Sequence, residues 1–363
     1  MLLTFEGFAE IPDKMHSFYG KAFDTLFQKH DATKEQFQRK THSGLPLEEF
    51  KAYFAAFCAM SYLQERYSFD QKLLSEIAGQ AIKYVGENEI QGNANKDTKR
   101  AKKPTPACTP KQLIDDLLES VCMLQPDGID TSFVHRSFQE YFAAYFVTGL
   151  HGEKIKKILD RYCVRSTDSV MPMLLEMHRE PVEQSWVLPV VRELESVFQL
   201  IDEKGVYAVV ANFTKTLGLE LFGVDRSRAG LHEFTFSFGE VFNILLFSQF
   251  NTLCDIYPQF MPPERLYGQF WLRGLLTKNI LQTRYKEMAG YAEFQTLISS
   301  ALRGKKSAVP TTITRILSAS DEWWLEELGF RERIMSVRKG LKLIASNIEA
   351  VSARRESILE AFI

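Results

Sequence analysis

A chain of 363 residues exceeds what one hydrophobic core usually holds, at about 100–150 residues per domain, so we expect two or three packed units. Lys and Arg total 44 and Asp and Glu total 46, and this near balance excludes a general basic field that would attract nucleic acid or anionic lipid. A hydrophobic fraction of 45% and a charged fraction of 25% exclude a disordered or fibrous chain.

The cysteines and the termini bear on the cellular compartment. Five cysteines without a C-x-x-C pair predict a reducing cytoplasm and no zinc site: Cys58, Cys108, Cys122, Cys163 and Cys254. No signal peptide is recognisable, and the apolar stretch 241–253 is interrupted by polar residues, so no membrane span is expected. The apolar start, Met1–Phe5, has no helix cap and predicts a segment that continues an upstream helix.

Three helices are predicted at the start of the chain. Apolar residues at helical spacing indicate an amphipathic helix over 15–30, a second over 47–61 and a third over 71–85, with a short aromatic segment at 67–69. Residues 86–107 are rich in Gly, Asn and Pro and predict a flexible loop. Its basic run, Lys96–Lys103, has no interleaved aromatic or glycine residues, which favours a solvated loop over a phosphate contact.

The next segment has the pattern of a winged-helix unit. Thr109, Pro110 and Gln112 form a capping-box sequence that starts a helix carrying Leu113, Leu117, Val121 and Leu124. Within this helix, Asp115 and Asp116 are expected to be solvated carboxylates of the first turn. A Pro-Asp-Gly turn at 126–128 predicts a β-hairpin over 123–134, followed by an aromatic helix over 135–147.

Further helices are expected over 154–162, 171–177, 186–201 and 206–217. Near the end, apolar residues from Ile334 to Ile358 follow heptad spacing and predict one long helix. Gly340 and irregular flanking charges favour packing on its own domain over an intermolecular coiled coil. The fold class expected is therefore mainly α, with helical domains around a winged-helix unit that has a small β-hairpin, followed by a further helical C-terminal region.

Catalytic and metal-binding motifs are lacking. Gly304–Ser307 has only half of the phosphate-binding pattern G-x-x-x-x-G-K-[ST], and no pair of histidines has the spacing of a helical zinc site. His30 and Asp31 fit a helix cap better than a catalytic dyad, and the cluster Asp202–Lys204 is placed in a glycine-terminated turn. We predict no catalytic residue, no metal site and no enzyme activity of the chain alone.

The aromatic helix carries a longer motif. Residues 133–146, FVHRSFQEYFAAYF, resemble the F-x-H-x-S-F-Q-E-[FY]-x-A-A signature that closes the winged helix of NACHT-type STAND NTPases, the family of NOD-like receptors and bacterial antiviral homologues. The matching positions are Phe133, His135, Ser137, Phe138, Gln139, Glu140, Tyr141, Ala143 and Ala144. Residues 2–37 also resemble the helical segment after the nucleotide-binding core of bacterial members, and the resemblance covers about residues 1–200.

This resemblance implies a domain order. Residues 1–40 would end helical domain 1, 41–149 would form the winged helix with the loop 86–107, and 150–225 would form a second helical domain. Residues 226–363 would be a C-terminal helical sensor or partner-binding region. The P-loop and Walker B motifs of the family are missing, so the resemblance implies its regulatory part.

The resemblance also implies a cofactor and partners. ADP or ATP would bind only in a complete NTPase whose P-loop domain lies on the same or a separate chain, and ADP would hold the closed state. His135 matches the histidine that contacts the nucleotide phosphate. Other implied partners are a protein or phage-derived trigger and further copies of the chain, with prokaryotic antiviral defence as the output.

Other interpretations stay open at this point. Without the family, a lone histidine at a helix start is more often structural, and most of the motif is packing, with Phe138, Phe142 and Tyr145 as a buried stripe and Ala143 and Ala144 allowing close approach. The alternative function is a winged-helix nucleic-acid-binding protein, which only the run 96–103 favours and the near-neutral charge opposes. An enzyme in 226–363 has no supporting motif.

Overall fold

A computed structural model describes residues 14–29, 41–93, 107–165, 168–213, 217–224, 231–238, 243–261, 274–277, 311–327 and 330–360. Four predicted features lie outside these residues: the apolar start Met1–Phe5, the pair at 30–31, the basic run 96–103 and the partial phosphate-binding pattern at 304–307. The chain divides into two compact units, Met1–Ser185 and Trp186–Ile363. Among the described helices, none combines the length and the apolar character needed to cross a bilayer.

The first unit is helical with one small sheet. Its helices are α1 (Met15–Lys29), α2 (Leu47–Leu63), α3 (Gln71–Asn93), α4 (Pro110–Asp115), α5 (Arg136–Thr148), α6 (Glu153–Tyr162) and α7 (Val170–Val182). Its strands β1 (Ser68–Phe69), β2 (Leu124–Asp127) and β3 (Asp130–Phe133) form an antiparallel sheet in the order β1-β3-β2. The predicted mainly-α fold with a small hairpin is confirmed, and Gly128 takes a positive φ of 64° in the hairpin turn.

The core of this unit is an aromatic cluster between α1, α2 and α5. The ring of Phe142 lies 4.5 Å from that of Phe54 and 4.7 Å from that of Phe23, measured between centroids. Ala143 and Ala144 are fully buried, as predicted, and they let α5 pack closely on its neighbours. The predicted stripe needs one correction, because Tyr145 is only half-buried and Tyr141 is buried in its place.

The capping box at Thr109 is confirmed, but the helix that it starts is short. Gln112 N donates to Thr109 Oγ1 at 3.3 Å, and Thr109 N donates to Gln112 Oε1 at 2.9 Å. After Asp115 the helix widens into a π-helical turn, Asp116–Ser120, and the chain then enters β2. Leu124, predicted as part of this helix, is the first residue of β2.

The prediction that Asp116 is solvated is wrong. Its side chain is fully buried, and its carboxylate accepts hydrogen bonds from His42 N at 2.6 Å, Ser43 N at 2.9 Å and Ser120 Oγ at 2.8 Å. Two of these donors come from a segment more than 70 positions earlier in the chain. The carboxylate is buried because this segment supplies the donors that replace water.

The predicted loop 86–107 begins too early, since α3 runs on to Asn93. A glycine in a helix costs only about 1 kcal/mol relative to alanine, so Gly86 does not end a helix that is already nucleated. The preceding turns of α3 are stabilised by packing, because Ile77, Ala81 and Ile82 are buried. Residues 94–106 lie outside the described residues.

The second unit combines helices with a larger sheet. Its helices are α8 (Leu188–Val210), α9 (Ile244–Ile256), α10 (Glu322–Glu327) and α11 (Phe330–Glu360). Its strands β4 (Leu217–Val224), β5 (Leu231–Phe238), β6 (Gly274–Thr277) and β7 (Thr311–Leu317) form an antiparallel sheet in the order β6-β5-β4-β7.

This sheet corrects two predictions. The region 226–363 was expected to be helical, and it contributes β5, β6 and β7 as well as helices. The helix predicted over 206–217 ends at Val210, and Leu217 begins β4. The alternation Phe234, Phe236, Phe238 in β5 is the two-residue period of a strand, which was a local signal for this sheet.

Helix α8 has a kink at Gly205, whose φ of 83° is outside the helical range. The helical stretch after the kink is capped by Glu322, whose carboxylate accepts hydrogen bonds from Val206 N and from Tyr207 N, the latter at 2.7 Å. The break expected between the helices predicted over 186–201 and 206–217 is therefore present, at Gly205. A carboxylate at a helix start satisfies amide groups that have no partner within the helix.

The long C-terminal helix is confirmed, and its first part packs on α8. The residues that it buries keep the predicted heptad spacing: Ile334, Val337, Leu341, Ile344 and Ile348. Gly340 is needed where the backbone of Phe260 comes close, because a Cβ there would overlap the Phe260 carbonyl. Beyond Ile348 the helix is exposed, with Val351 at 43% and Ile358 at 49% of full exposure.

Candidate functional site

His135 stands where β3 meets α5. Its backbone is extended, with φ of −140° and ψ of 123°, and its carbonyl oxygen accepts a hydrogen bond from Phe138 N at 3.1 Å. The side chain is exposed and does not cap the helix. The structural role considered for this histidine, a side-chain cap at the corner, is therefore absent, and the imidazole is available for another contact.

The neighbouring Arg136 lies beside an aromatic ring and a carboxylate. Its guanidinium carbon is 5.9 Å from the centroid of the Tyr67 ring, and its Nε atom is 3.2 Å from Glu140 Oε1. The other oxygen of Glu140 accepts a hydrogen bond from Ser169 N at 3.4 Å. Burial, and then the charge of Asp168, raise the pKa of the Glu140 carboxyl, against the hydrogen bond from Ser169 and the charge of Arg136.

Gln139 joins α5 to the end of α2. Its Nε2 atom donates to Ser61 Oγ at 2.9 Å and to the carbonyl oxygen of Arg66 at 2.6 Å, and the residue is buried. Such bonds matter because a buried amide without partners costs about 1–3 kcal/mol. The Gln-Glu pair of the motif thus connects α5 to two other segments, through Gln139 to α2 and through Glu140 to the start of α7.

A second link reaches the start of α7 from α2. The Tyr62 hydroxyl donates to Asp168 Oδ2, and Val170 N donates to Asp168 Oδ1 at 3.1 Å. The Arg165 guanidinium carbon lies 4.2 Å from the centroid of the Tyr62 ring. Burial, followed by the nearby Asp168 carboxylate, raises the pKa of Tyr62, so this phenol stays a hydrogen-bond donor at neutral pH.

These links border a cavity of about 470 Å³. Three arginines from separate segments line it, Arg66, Arg136 and Arg165, together with the carboxylates of Glu65 and Asp168. Arg165 is paired with Glu65 at 3.5 Å. Guanidinium groups bind carboxylate and phosphate through paired N–H donors, so this cavity suits one anionic group, with the two carboxylates offsetting part of the positive charge.

His135 directly precedes the cavity residue Arg136 in the sequence, but it does not line the cavity itself. Arg66 and Arg165 were missed by sequence reasoning, because no local pattern marks residues that meet Arg136 only through the fold. The apolar motif residues serve packing: the ring of Tyr19 in α1 lies 5.5 Å from Phe138 and 6.2 Å from Tyr141. Phe133 is buried, and Ser137 is half-buried.

The remaining candidate groups have structural roles or form no site. Asp202 lies within α8 rather than in a turn, and Arg338 Nη1 is 2.9 Å from its carboxylate. Over the part of the chain that the structure describes, no three His, Cys, Asp or Glu side chains are grouped as metal ligands.

Comparisons of this chain with models of protein families, with curated proteins and with solved structures found no match.

Proposed function

We propose that this chain is the regulatory part of a NACHT-type STAND switch, with a nucleotide held by a P-loop domain on the same or a separate chain. The observation that supports this most is the position of His135. Its imidazole is exposed at a strand-to-helix corner and forms no hydrogen bond with any described residue, while the other signature residues, except the half-buried Ser137, are buried.

The surroundings of His135 suit contact with a phosphate. Both elements that hold it are anchored, β3 by pairing with β1 and β2 and α5 by Gln139 and Glu140. A helix start carries partial positive charge and amide groups that need acceptors, and the side chain of His135 does not cap α5. A phosphate presented by a docked P-loop domain would gain about 1.5–3 kcal/mol from a charge-assisted hydrogen bond.

The proposed mechanism is control of a closed state. His135 would contact the phosphate of ADP held in the P-loop domain and so favour the closed state, and a protein or phage-derived trigger with ATP would release the two parts for oligomerisation. This chain supplies no catalytic group, and hydrolysis belongs to the P-loop domain, which alone has the amide cradle and magnesium ligands that phosphoryl transfer needs. The proposed setting is prokaryotic antiviral defence in the cytoplasm, where scattered free thiols stay reduced.

The decisive experiment adds the P-loop domain. The DNA upstream of the Met1 codon, or a neighbouring gene, is searched for G-x-x-x-x-G-K-[ST], and the complex of both parts is purified. His135→Ala is expected to weaken ADP binding about tenfold to a hundredfold and to shift the complex toward the oligomer, since 1.4 kcal/mol is a factor of about ten. ADP affinity is measured by calorimetry, and the oligomer by light scattering.

The matched control is His42→Ala, because His42 is also exposed in the first unit and its ring has a polar contact with Glu119, at 3.1 Å. This variant should keep the ADP affinity of the wild type. A His135→Ala complex with unchanged ADP affinity and a lowered melting temperature would contradict the proposal, since that result is what a purely structural histidine produces.

A further inference from the structure

A larger cavity, of about 790 Å³, lies at the opposite end of α5 in the first unit. Its walls come from α2, α3 and α5. The lining residues include Ala52, Tyr84, Tyr145 and Phe146, with His151 and Lys154 at the start of α6. The volume is within the range of about 300–1,000 Å³ that is usual for small-molecule sites.

The wall of this cavity is largely apolar and aromatic. The rings of Tyr84 and Phe146 lie 5.1 Å apart at an interplanar angle of 48°, and both side chains are only half-buried. Aromatic and small apolar side chains therefore remain open to a ligand at this place, where burial of apolar surface is favourable. Among the described residues, no carboxylate lines this cavity.

Among the described residues that line the cavity, Lys154 carries the one formal charge, a positive one. Lys154 is exposed at the edge and forms no ion pair with any described carboxylate. The other lysines of α6 differ from it, because Lys156 pairs with Asp160 at 2.7 Å and Lys157 with Glu153 at 3.2 Å. His151 lines the same end of the cavity. An apolar wall beside an unpaired ammonium group is complementary to a molecule with an apolar body and one negative group.

We infer that this cavity binds a small amphipathic anion, with an aromatic or aliphatic body between Tyr84, Tyr145 and Phe146 and a carboxylate, sulfonate or phosphate at Lys154. This site is separate from His135 and does not depend on the proposed switch.

The test uses two naphthalene probes that differ in charge, with the purified full chain. The anionic probe is 8-anilinonaphthalene-1-sulfonate, and the neutral probe is N-phenyl-1-naphthylamine. We expect both to bind at one saturable site, measured by fluorescence titration. Lys154→Ala should weaken binding of the anionic probe by at least about fivefold and change binding of the neutral probe less than about twofold, because only the first loses a charge-assisted contact.

Lys157→Ala is the matched control, since Lys157 is on the same helix, is paired with Glu153 and does not line the cavity. It should leave both titrations unchanged. Ala52→Trp places an indole in the cavity from an exposed position of α2 and should abolish binding of both probes without lowering the melting temperature.

Equal affinity of the anionic probe for Lys154→Ala and Lys157→Ala would overturn the inference, as would retained binding in a folded Ala52→Trp chain. If the Ala52→Trp chain melts at a lower temperature than the wild type, the comparison of Lys154→Ala with Lys157→Ala alone tests the inference. A site that rejects both probes but binds an acidic helical peptide would overturn it as well, in favour of a protein partner.

Discussion

The Nε2 atom of Gln139 donates a hydrogen bond of 2.6 Å to the backbone carbonyl of Arg66. This bond joins α5, directly after His135 and Arg136, to the turn that follows α2. The same nitrogen also donates to Ser61 Oγ, so one buried amide holds two points of the neighbouring segment. The corner that presents His135 is therefore fixed by side-chain bonds from within the core.

Replacing Gln139 should lower the free energy of unfolding. Gln139→Leu keeps the apolar contacts but removes the donor, and we expect a loss of about 1–3 kcal/mol because two acceptors lose their partner. Urea denaturation of the full chain measures this. Gln64→Leu is the control at an exposed position, with an expected change within about 0.5 kcal/mol. Equal stability of both variants would show that the Gln139 bonds contribute nothing.

Replacing Asp116 should lower the free energy of unfolding far more than replacing its neighbour Asp115. Asp116→Ala removes a buried carboxylate that accepts two backbone amides, from His42 and Ser43, and should cost about 3 kcal/mol or more. Asp115→Ala, at the preceding half-buried position, should cost well under half of that. Denaturant midpoints compare them. Similar midpoints for the two variants would show that the segment before α2 is not held by Asp116.

The raised pKa of Glu140 predicts a pH dependence. A carboxyl whose pKa is higher in the folded state than in the unfolded state stabilises the fold below the unfolded pKa of about 4.3. That contribution is lost as the pH rises through the folded pKa. The stability of Glu140→Gln relative to wild type should therefore improve as the pH rises from about 4 to 7, in urea titrations at each pH. Parallel stability curves would contradict the burial of this carboxyl.

The cysteines should differ in reactivity. Cys122 is exposed, whereas Cys58, Cys108, Cys163 and Cys254 are buried. Burial raises the pKa of Cys108 to about 11 and that of Cys163 to about 12, which further lowers their thiolate fraction. When the native chain reacts with a disulfide reagent at pH 8, we expect one thiol to react fast. In denaturant we expect all five thiols to react. Cys122→Ser should remove the fast one, and a second fast thiol in that variant would place another cysteine at the surface.

Local sequence determined much of the first unit. The capping box at Thr109, the hairpin turn at Gly128 and the helical spacing of the apolar residues all predicted elements that are present. Each of these signals depends on groups within a few positions of one another, so no knowledge of distant segments is needed. The same holds for the heptad spacing of α11 as far as Ile348, whereas Val351 and Ile358, which continue the predicted spacing, are exposed.

Tertiary structure alone decided which polar groups are buried and which meet. From the sequence, Asp116 was expected to be a solvated helix carboxylate, and only the fold brings the amides of residues 42–43 to it as donors. In the same way, Arg66, Arg136 and Arg165 line one cavity only because the fold brings three separate segments together. The pairing of β4 with β7 likewise joins segments about 90 positions apart. The free energy of burying a charge or pairing a strand depends on partners that are distant in sequence, and only the folded chain brings them together.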